Sequence, residues 1–542
     1  MPSPEGGAEA TAASAREPAA SALSPLRIPV FRAVWTASLA SYVGTWMHLV
    51  AVGWLMTTLT SSVTLIALVQ TAIALPTLVL ALPGGALADM VDRRRMIIAT
   101  QAWQVVTAAT LGIVTLTDVA TPGLVLALTL ALGVGAALGL PVFWAVVPEI
   151  VGRAELPAAL ALNSAGITLA QAVGPALGGL LVASAGAGVV FLLNAGSFLV
   201  VVAVITAWRR TPSVSALPRE HVVEAVRAGL RYVRNAPPLQ VVLLRTAAHA
   251  FCYSVLPALL VVVARTRLDV GAAGYGVLFG CFGAGGAIGA VLLTRVRAHI
   301  STDRLMVLAG ATLAAALVAL GTLRSFAALL PVMVLGGAGS VMVMSSLNIA
   351  VQSVLPDWVR GRGLALQLLT FQAALAAGAA CWGAMAANVS VSAALIAAAA
   401  AMVAAHMVSA LAGLRLAIAD DVDLAPASWL EPQFVLEPDP RDGPILIEIE
   451  YRIALEQTPE FLEAMRQLRR TRRRDGAVQW SIYQDLSDPE RHVESFLVRS
   501  WAEHERAHER AVQSDRAVIE RVLALHHGEA PRVTHLLWHD LR

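Results

Sequence analysis

Apolar residues run along this chain in long blocks separated by short polar stretches. An α-helix needs about 20 apolar residues to cross the hydrocarbon core of a bilayer. Counting such blocks predicts twelve spans, at 33–59, 62–86, 96–117, 122–147, 157–183, 188–208, 239–264, 273–294, 304–323, 327–354, 363–387 and 391–414. Beyond Leu424 the pattern changes. Pro426, Pro432, Pro438, Pro440 and Pro444 make a stiff linker. Ile445, Ile447, Ile449, Tyr451 and Ile453 then alternate with charged residues, as in a half-buried strand. A helix over 459–474, strands over Val478–Tyr483 and Val493–Arg499, helices over 501–526 and a strand over Val533–Trp538 complete the order β-α-β-β-α-β. That order is the ferredoxin-like pattern. The predicted fold is an all-α polytopic membrane protein with a C-terminal ferredoxin-like α+β domain.

The polar connections set the topology. Arginines occupy the connections 87–95, 209–238, 295–303 and 355–362, whereas 60–61, 118–121, 184–187 and 388–390 carry none. Positive charge marks the cytoplasmic side, so both termini are expected inside. Arg265, Arg267 and Arg324 break the alternation. The long connection 209–238 divides the spans into two sets of six. Within it, Val222, Val226 and Leu230 recur at helical spacing, which predicts an amphipathic helix over His221–Arg234 on the membrane surface. The expected organisation is a disordered tail (1–24), a first half (25–208), a central loop (209–238), a second half (239–416), a linker (417–443) and a soluble domain (444–542).

Composition agrees. Of 542 residues 57% are hydrophobic and 14% charged, against roughly a quarter charged in a soluble protein. A net charge of +2 gives no case for a nucleic-acid partner. Every basic residue is arginine, so no single arginine is singled out by its type. Cys252, Cys281 and Cys381 all fall within apolar blocks and read as small buried hydrophobes rather than metal or disulfide ligands. Residues 1–24 lack the basic region and apolar core of a signal peptide. No phosphate-binding loop argues for a primary pump, and no cofactor motif or nucleophile–base arrangement argues for an enzyme.

The segment Gly85-Ala-Leu-Ala-Asp89-Met-Val-Asp92-Arg93-Arg94-Arg95 follows the second span. Three consecutive arginines cannot sit in hydrocarbon, so they mark a loop in water. Its spacing resembles the loop signature of the major facilitator superfamily, secondary transporters built of two six-helix halves with substrate between them. The resemblance implies that Asp89 faces the positive end of a helix in the opposite half, worth roughly 0.3–1 kcal/mol. It makes Gly85, Asp89, Asp92, Arg93, Arg94 and Arg95 a gating motif. Met90 stands where the family usually has arginine, and Asp92 where it usually has glycine. The blander reading is that the arginines only anchor topology. Leu293-Thr-Arg295-Val-Arg297 is a degenerate copy in the second half.

Gly174-Pro175-Ala-Leu-Gly178-Gly179 in the fifth span resembles the signature of facilitator antiporters. Small residues allow close helix approach and proline permits a bend, so the motif is expected to be a hinge or packing seam. Ordinary tight packing is the alternative. Segments 148–163, 191–198 and 352–362 resemble the branch that includes bacterial enterobactin exporters and transmembrane secretion effectors. That resemblance implies efflux of a small amphipathic solute across the bacterial inner membrane, by proton antiport through alternating access. It also covers the tail, which is similar to small dimeric α+β barrel monooxygenases and is expected to pair with a second copy or a cytoplasmic partner.

A proton-coupled carrier needs a titratable group at depth. The fourth span has no arginine, and Asp89 and Glu149 sit only at span margins. The candidates are His48, the pair Arg245 and His249 at i, i+4, and His406. Ionisable residues in a membrane are functional candidates, because hydrocarbon costs a charge several kcal/mol. A lone neutral histidine is nevertheless more often a hydrogen-bonded core residue. Gln70, Gln101, Gln104, Asn163, Gln171, Asn194, Asn348, Gln352, Gln367 and Gln372 are polar positions that could line a cavity or bridge helices. In the tail, His504 and His508 have metal-ligand spacing, but a solvated helix face is the commoner outcome; no metal and no cofactor are expected. Two rival readings stand beside the exporter: a membrane-anchored enzyme whose tail oxidises a delivered substrate, and a sensor that signals without flux.

Overall fold

The computed structural model describes residues 23–208, 236–355, 357–411, 438–439, 442–509 and 513–538. Almost all of the N-terminal tail, the amphipathic segment 221–234 and most of the proline-rich linker lie outside these residues. Among them are twelve helices long and apolar enough to cross a bilayer. They are α1 (Pro29–Leu59), α2 (Val63–Met90), α3 (Arg93–Leu116), α4 (Pro122–Gly152), α5 (Ala154–Ala185), α6 (Ala187–Ala207), α7 (Pro237–Thr266), α8 (Ala272–Arg297), α9 (Thr302–Thr322), α10 (Phe326–Ser353), α11 (Asp357–Asn388) and α12 (Val391–Leu411).

Local chemistry sets the helix ends. Pro29, Pro122 and Pro237 open α1, α4 and α7, where a missing amide proton costs nothing. Asp92 caps α3 by accepting the Arg95 amide, and Thr121 caps α4 by accepting that of Leu124. Between α4 and α5 the chain bends at Gly152, whose φ of 61° favours glycine.

The seventh span departs from the expected single helix. It is broken at Ser254 into Pro237–Tyr253 and Val255–Thr266. Pro257 has no amide to donate to the Tyr253 carbonyl, which weakens the ladder there. The Ser254 hydroxyl is turned back onto the Phe251 carbonyl at 2.7 Å.

Two ends of the bundle differ. At the end holding the 59–63 and 266–272 connections, buried residues of both halves merge into one core, from Val50 and Met56 on α1 to Leu260 on α7 and Leu395 on α12. At the arginine-rich end the cores are separate. Val34, Ile97, Val146 and Ile205 cluster in the first half, while Leu239, Leu293, Met306, Val351 and Val359 cluster in the second. Among the described residues, the halves therefore share a large apolar core at one end and have separate apolar clusters at the other. Two of the three exceptional arginines, Arg265 and Arg267, make contacts at the end with the shared core. Arg265 donates to the Thr57 carbonyl of α1, across the two halves, and Arg267 donates to the Gly321 carbonyl and the Ser392 hydroxyl. A recess of about 400 Å³ lies beside Arg265, lined by Thr57, Thr60, Ile66 and Val262. These arginines satisfy carbonyls at helix ends, so they need not follow the charge rule for loops.

The tail forms β1 (Ile445–Arg452), α13 (Thr458–Asp475), β2 (Gln479–Gln484), β3 (Arg491–Val498), α14 (Trp501–Glu509), α15 (Gln513–Ala524) and β4 (Arg532–Leu537). The sheet order is β2-β3-β1-β4 with every pair antiparallel, which is the ferredoxin-like arrangement. Ile445, Ile447, Ile449 and Tyr451 face Phe461, Met465 and Leu468 of α13. Glu494 lies fully buried on that face and accepts from Trp480 Nε1 (2.8 Å), Tyr451 Oη (3.0 Å) and Arg472 Nε (3.1 Å). Burial, and then the Glu494 charge, push the Tyr451 phenol well above its usual range. The cysteines correct one expectation: Cys252 is buried, Cys281 is half-buried and Cys381 is exposed, so only the first is a core residue.

Candidate functional site

The antiporter-like glycines lie at a close approach between helix backbones, both within the first half and across to the second. Gly178 faces α1, where an added Cβ would lie 2.7 Å from the Met47 Cα. Gly179 faces α8 instead: a Cβ there would collide with the Ala272 carbonyl and lie 2.8 Å from the Gly276 Cα. Gly276 meets the Pro175 carbonyl in the same way, and Gly283 that of Gln171. Gly174 is held against Trp46 and the Val43 carbonyl of α1. The motif thus lets α5 touch helix backbones on two sides, one in each half. Across the other seam, Thr71 of α2 donates to the Ala376 carbonyl of α11 at 3.0 Å.

The arginine loop is bound within the first half. Arg93 reaches Glu149 at 2.8 Å and the Ala145 carbonyl at 3.0 Å, both on α4. Arg94 donates to the Ile205 and Thr206 carbonyls at the end of α6, at 3.0 and 2.5 Å. Those are carbonyls that a helix terminus leaves unsatisfied. Asp92 serves as the cap of α3, and Arg95 is exposed. Gly85 and Asp89 lie near the end of α2.

Most hydroxyls at membrane depth satisfy themselves. Ser38, Thr129 and Thr246 donate to the carbonyl one turn back, at 2.7–2.8 Å. The imidazoles do not. His48 is 2% exposed against Phe191 of α6, with ring centroids 4.6 Å apart, and neither ring nitrogen has a hydrogen-bond partner among the described residues. In the second half, Arg245, His249 and Tyr253 occupy successive turns of α7. Arg245 is 2% exposed and pairs with Asp303 of α9 at 2.5 Å. His249 lies parallel to Tyr253 at 6.3 Å and 5.9 Å from the ring of His406 on α12. His406 fits because α9 has Gly310 beneath it, where a methyl group would strike the ring. Arg245 and His249, expected at the substrate cavity, meet Asp303 of α9 and His406 of α12 within their own half. The sequence offered His406 as a candidate separate from this pair and missed Asp303, which the structure brings to this cluster.

A family model described as transmembrane secretion effector matches residues 20–541. The chain belongs to this family. Among curated relatives, the enterobactin exporter EntS of Shigella boydii serotype 4 is 28% identical over 319 residues, covering 57% of this chain and 72% of the relative. EntS of Escherichia coli O1:K1 is 28% identical over 297 residues, covering 53% and 69%. Among solved structures, the nucleoside transporter NupG superposes with a TM-score of 0.61 at 10% identity, over 71% of this chain and 99% of that one. An inward-facing, unoccupied bacterial homologue of the human lysosomal transporter Spinster gives 0.55 at 15% identity, over 72% and 95%. These likenesses establish the major facilitator fold. The family and its relatives are transporters rather than enzymes, and this chain is a multi-pass membrane transporter.

In the tail, His504 and His508 have metal-ligand spacing, but the His508 side chain lies outside the described residues. His504 meets His535 of β4, Nε2 to Nε2 at 3.1 Å, with Trp501 against both rings. Burial lowers the His535 pKa, in keeping with a neutral imidazole sharing one proton. Among the described residues no group of three or more His, Cys, Asp or Glu is arranged to hold a metal ion.

Proposed function

We propose that this transporter exports a small amphipathic solute from the bacterial cytoplasm by proton antiport, through alternating access. The observation that carries the reading is the unequal joining of the halves. They share one core at the arginine-poor end and keep separate cores at the arginine-rich end. The positive-inside rule makes the arginine-rich end cytoplasmic, which also puts both termini inside. A carrier open at that end would face the side from which an exporter loads. The curated relatives named as enterobactin exporters favour an outward direction and a siderophore-like or drug-like solute.

In the cycle, the Gly174–Gly179 stretch of α5 and Gly276 of α8 are the joint on which the halves turn, since backbone lies against backbone there. Gly85, Asp89, Asp92 and Arg93–Arg95 gate the cytoplasmic side. Arg93 and Arg94 hold α3 to α4 and α6, keeping the first half rigid, and Asp89 closes onto the second half when the carrier faces outward. Arg245 and His249 supply proton coupling. The tail pairs with a second copy or a cytoplasmic partner.

Uptake into inside-out vesicles tests this, using enterobactin and ethidium as probes and an imposed proton gradient. The reading expects gradient-dependent uptake of at least one probe in the wild type and its loss in Asp89→Asn. Uptake in both keeps the carrier and removes Asp89 from the gate. No uptake of either probe by folded protein contradicts export of that solute class.

A further inference from the structure

Building on that transport reading, we propose that the coupling proton is carried inside the second half. It moves along a ladder of side chains from Asp303 past Arg245 to the His406–His249 pair, and not through the space between the halves.

The ladder has a wet end and a dry end. Asp303 stands in the first turn of α9 at the arginine-rich end, its side chain 26% exposed. Arg245 and His249 lie about 12 and about 18 Å along α7 from Pro237, at 1.5 Å per residue. His249 therefore sits near mid-membrane, 1% exposed, and His406 is 4% exposed. His249 Nδ1 and His406 Nε2 have no hydrogen-bond partner among the described residues. A buried nitrogen in that state costs about 1–3 kcal/mol and calls for an explanation other than packing. A proton site supplies one, because the nitrogen without a partner is the one that can accept.

The surrounding charges define what can titrate. Arg245 and Tyr253 lie on the same helix, Asp303 reaches Arg245 from α9 and His406 approaches from α12. Helix α10 has no ionisable residue, while α8 and α11 meet this stretch of α7 with Phe282 and Trp382. A guanidinium stays protonated, so Arg245 holds the Asp303 carboxylate and carries no proton itself. Two imidazoles 5.9 Å apart beside that charge cannot both ionise in a low-dielectric interior, so the pair takes up one proton at a time.

The same helix links the proton to the external join. One turn beyond His249 the helix breaks at Ser254, and the segment past the break carries Arg265, which binds Thr57 of the first half. A charge arriving at His249 thus bears on the break, and the break on the contact that keeps the outer ends together.

The experiment uses the full chain in proteoliposomes with enterobactin as probe. It compares counterflow without a gradient with accumulation driven by a proton gradient. His249→Gln and His406→Gln are expected to keep counterflow and lose driven accumulation on the order of a hundredfold, as removal of a proton-transfer group does. Gly310→Ala, which displaces His406 without altering it, is expected to give a partial loss. Driven accumulation near the wild-type level in both histidine variants would overturn the proposal. Absence of wild-type counterflow would count against the transport reading for this probe, and the ladder is then judged by NMR of histidine-labelled protein. Coupled titration, with His406→Gln moving the His249 midpoint by more than about one pH unit, supports it. Independence of the two rings, or no proton uptake between about pH 5 and 8, overturns it.

Discussion

In the first half, Arg93 and Arg94 stand at the mouth of the bundle, tying α3 to Glu149 on α4 and to the free carbonyls of α6. In the second, Arg245 lies well inside, 1% exposed at its side chain, with Asp303 as its counter-ion and two imidazoles nearby. The helices that begin the two halves differ in the same sense. Helix α1 runs unbroken for 31 residues with His48 against a phenylalanine, whereas α7 breaks at Ser254 with His249 against a second histidine. Two structurally related halves can thus divide the work, one kept as a rigid frame and the other charged and jointed.

The largest expected effect follows from burial. Asp303→Asn leaves the Arg245 guanidinium facing an amide. Breaking a buried pair costs about 3–5 kcal/mol, and partial exposure of Asp303 brings the expectation to the lower end. Arg93→Gln breaks a half-exposed pair and should cost under about 1 kcal/mol. Thermal unfolding in detergent distinguishes the two, and equal losses would erase the contrast between the halves. Next in size is Gly179→Ala, where overpacking against backbone is expected to cost about 1–3 kcal/mol and to reduce flux. Gly196→Ala, with nothing within 4 Å of its added methyl, is the neutral control. Loss of flux in both would deny the seam its special place.

Arg265→Gln removes a charged hydrogen bond to Thr57, worth about 1.5 kcal/mol or more, and should raise the outward-open population roughly tenfold. Thiol labelling of Ser61→Cys in whole cells reads that change, and unaltered labelling would mean that Arg265 does not hold the outer ends. The smallest effect belongs to the tail. The Arg491 hydrogen bond holds the Glu450 carboxyl below its usual range. A depressed carboxylate contributes stability above its unfolded pKa and loses it as pH falls through the folded value. Acidification through and below the ordinary carboxylate range should therefore weaken the tail, less so in Arg491→Gln. A pH profile of tail unfolding identical in the two proteins would contradict this.

Much of the molecule was legible because bilayer thickness and strand alternation are strong constraints. They give twelve spans and the four-stranded tail directly. Arg245 and His249 were legible as a pair because i, i+4 spacing puts them on one face. Their partners were not. His406 lies on α12, remote in sequence, and only packing against Gly310 brings it near. Asp303 reads as an ordinary margin residue beside Arg304, although an acid in the first turn of a helix was a usable signal. Glu494 could have been found: it shares an inward register with His492, Phe496 and Val498, which marks a buried carboxylate in need of partners. The break in α7 was hidden because Pro257 sits within an unbroken apolar run, and hydropathy does not register a missing amide.

The division of work between the halves is tested most directly by proton-driven accumulation of enterobactin in proteoliposomes bearing His48→Gln or His249→Gln, each normalised to its own counterflow. The account expects His48→Gln to keep the wild-type ratio and His249→Gln to lose it. Loss in His48→Gln with retention in His249→Gln would place coupling in the first half and contradict the account.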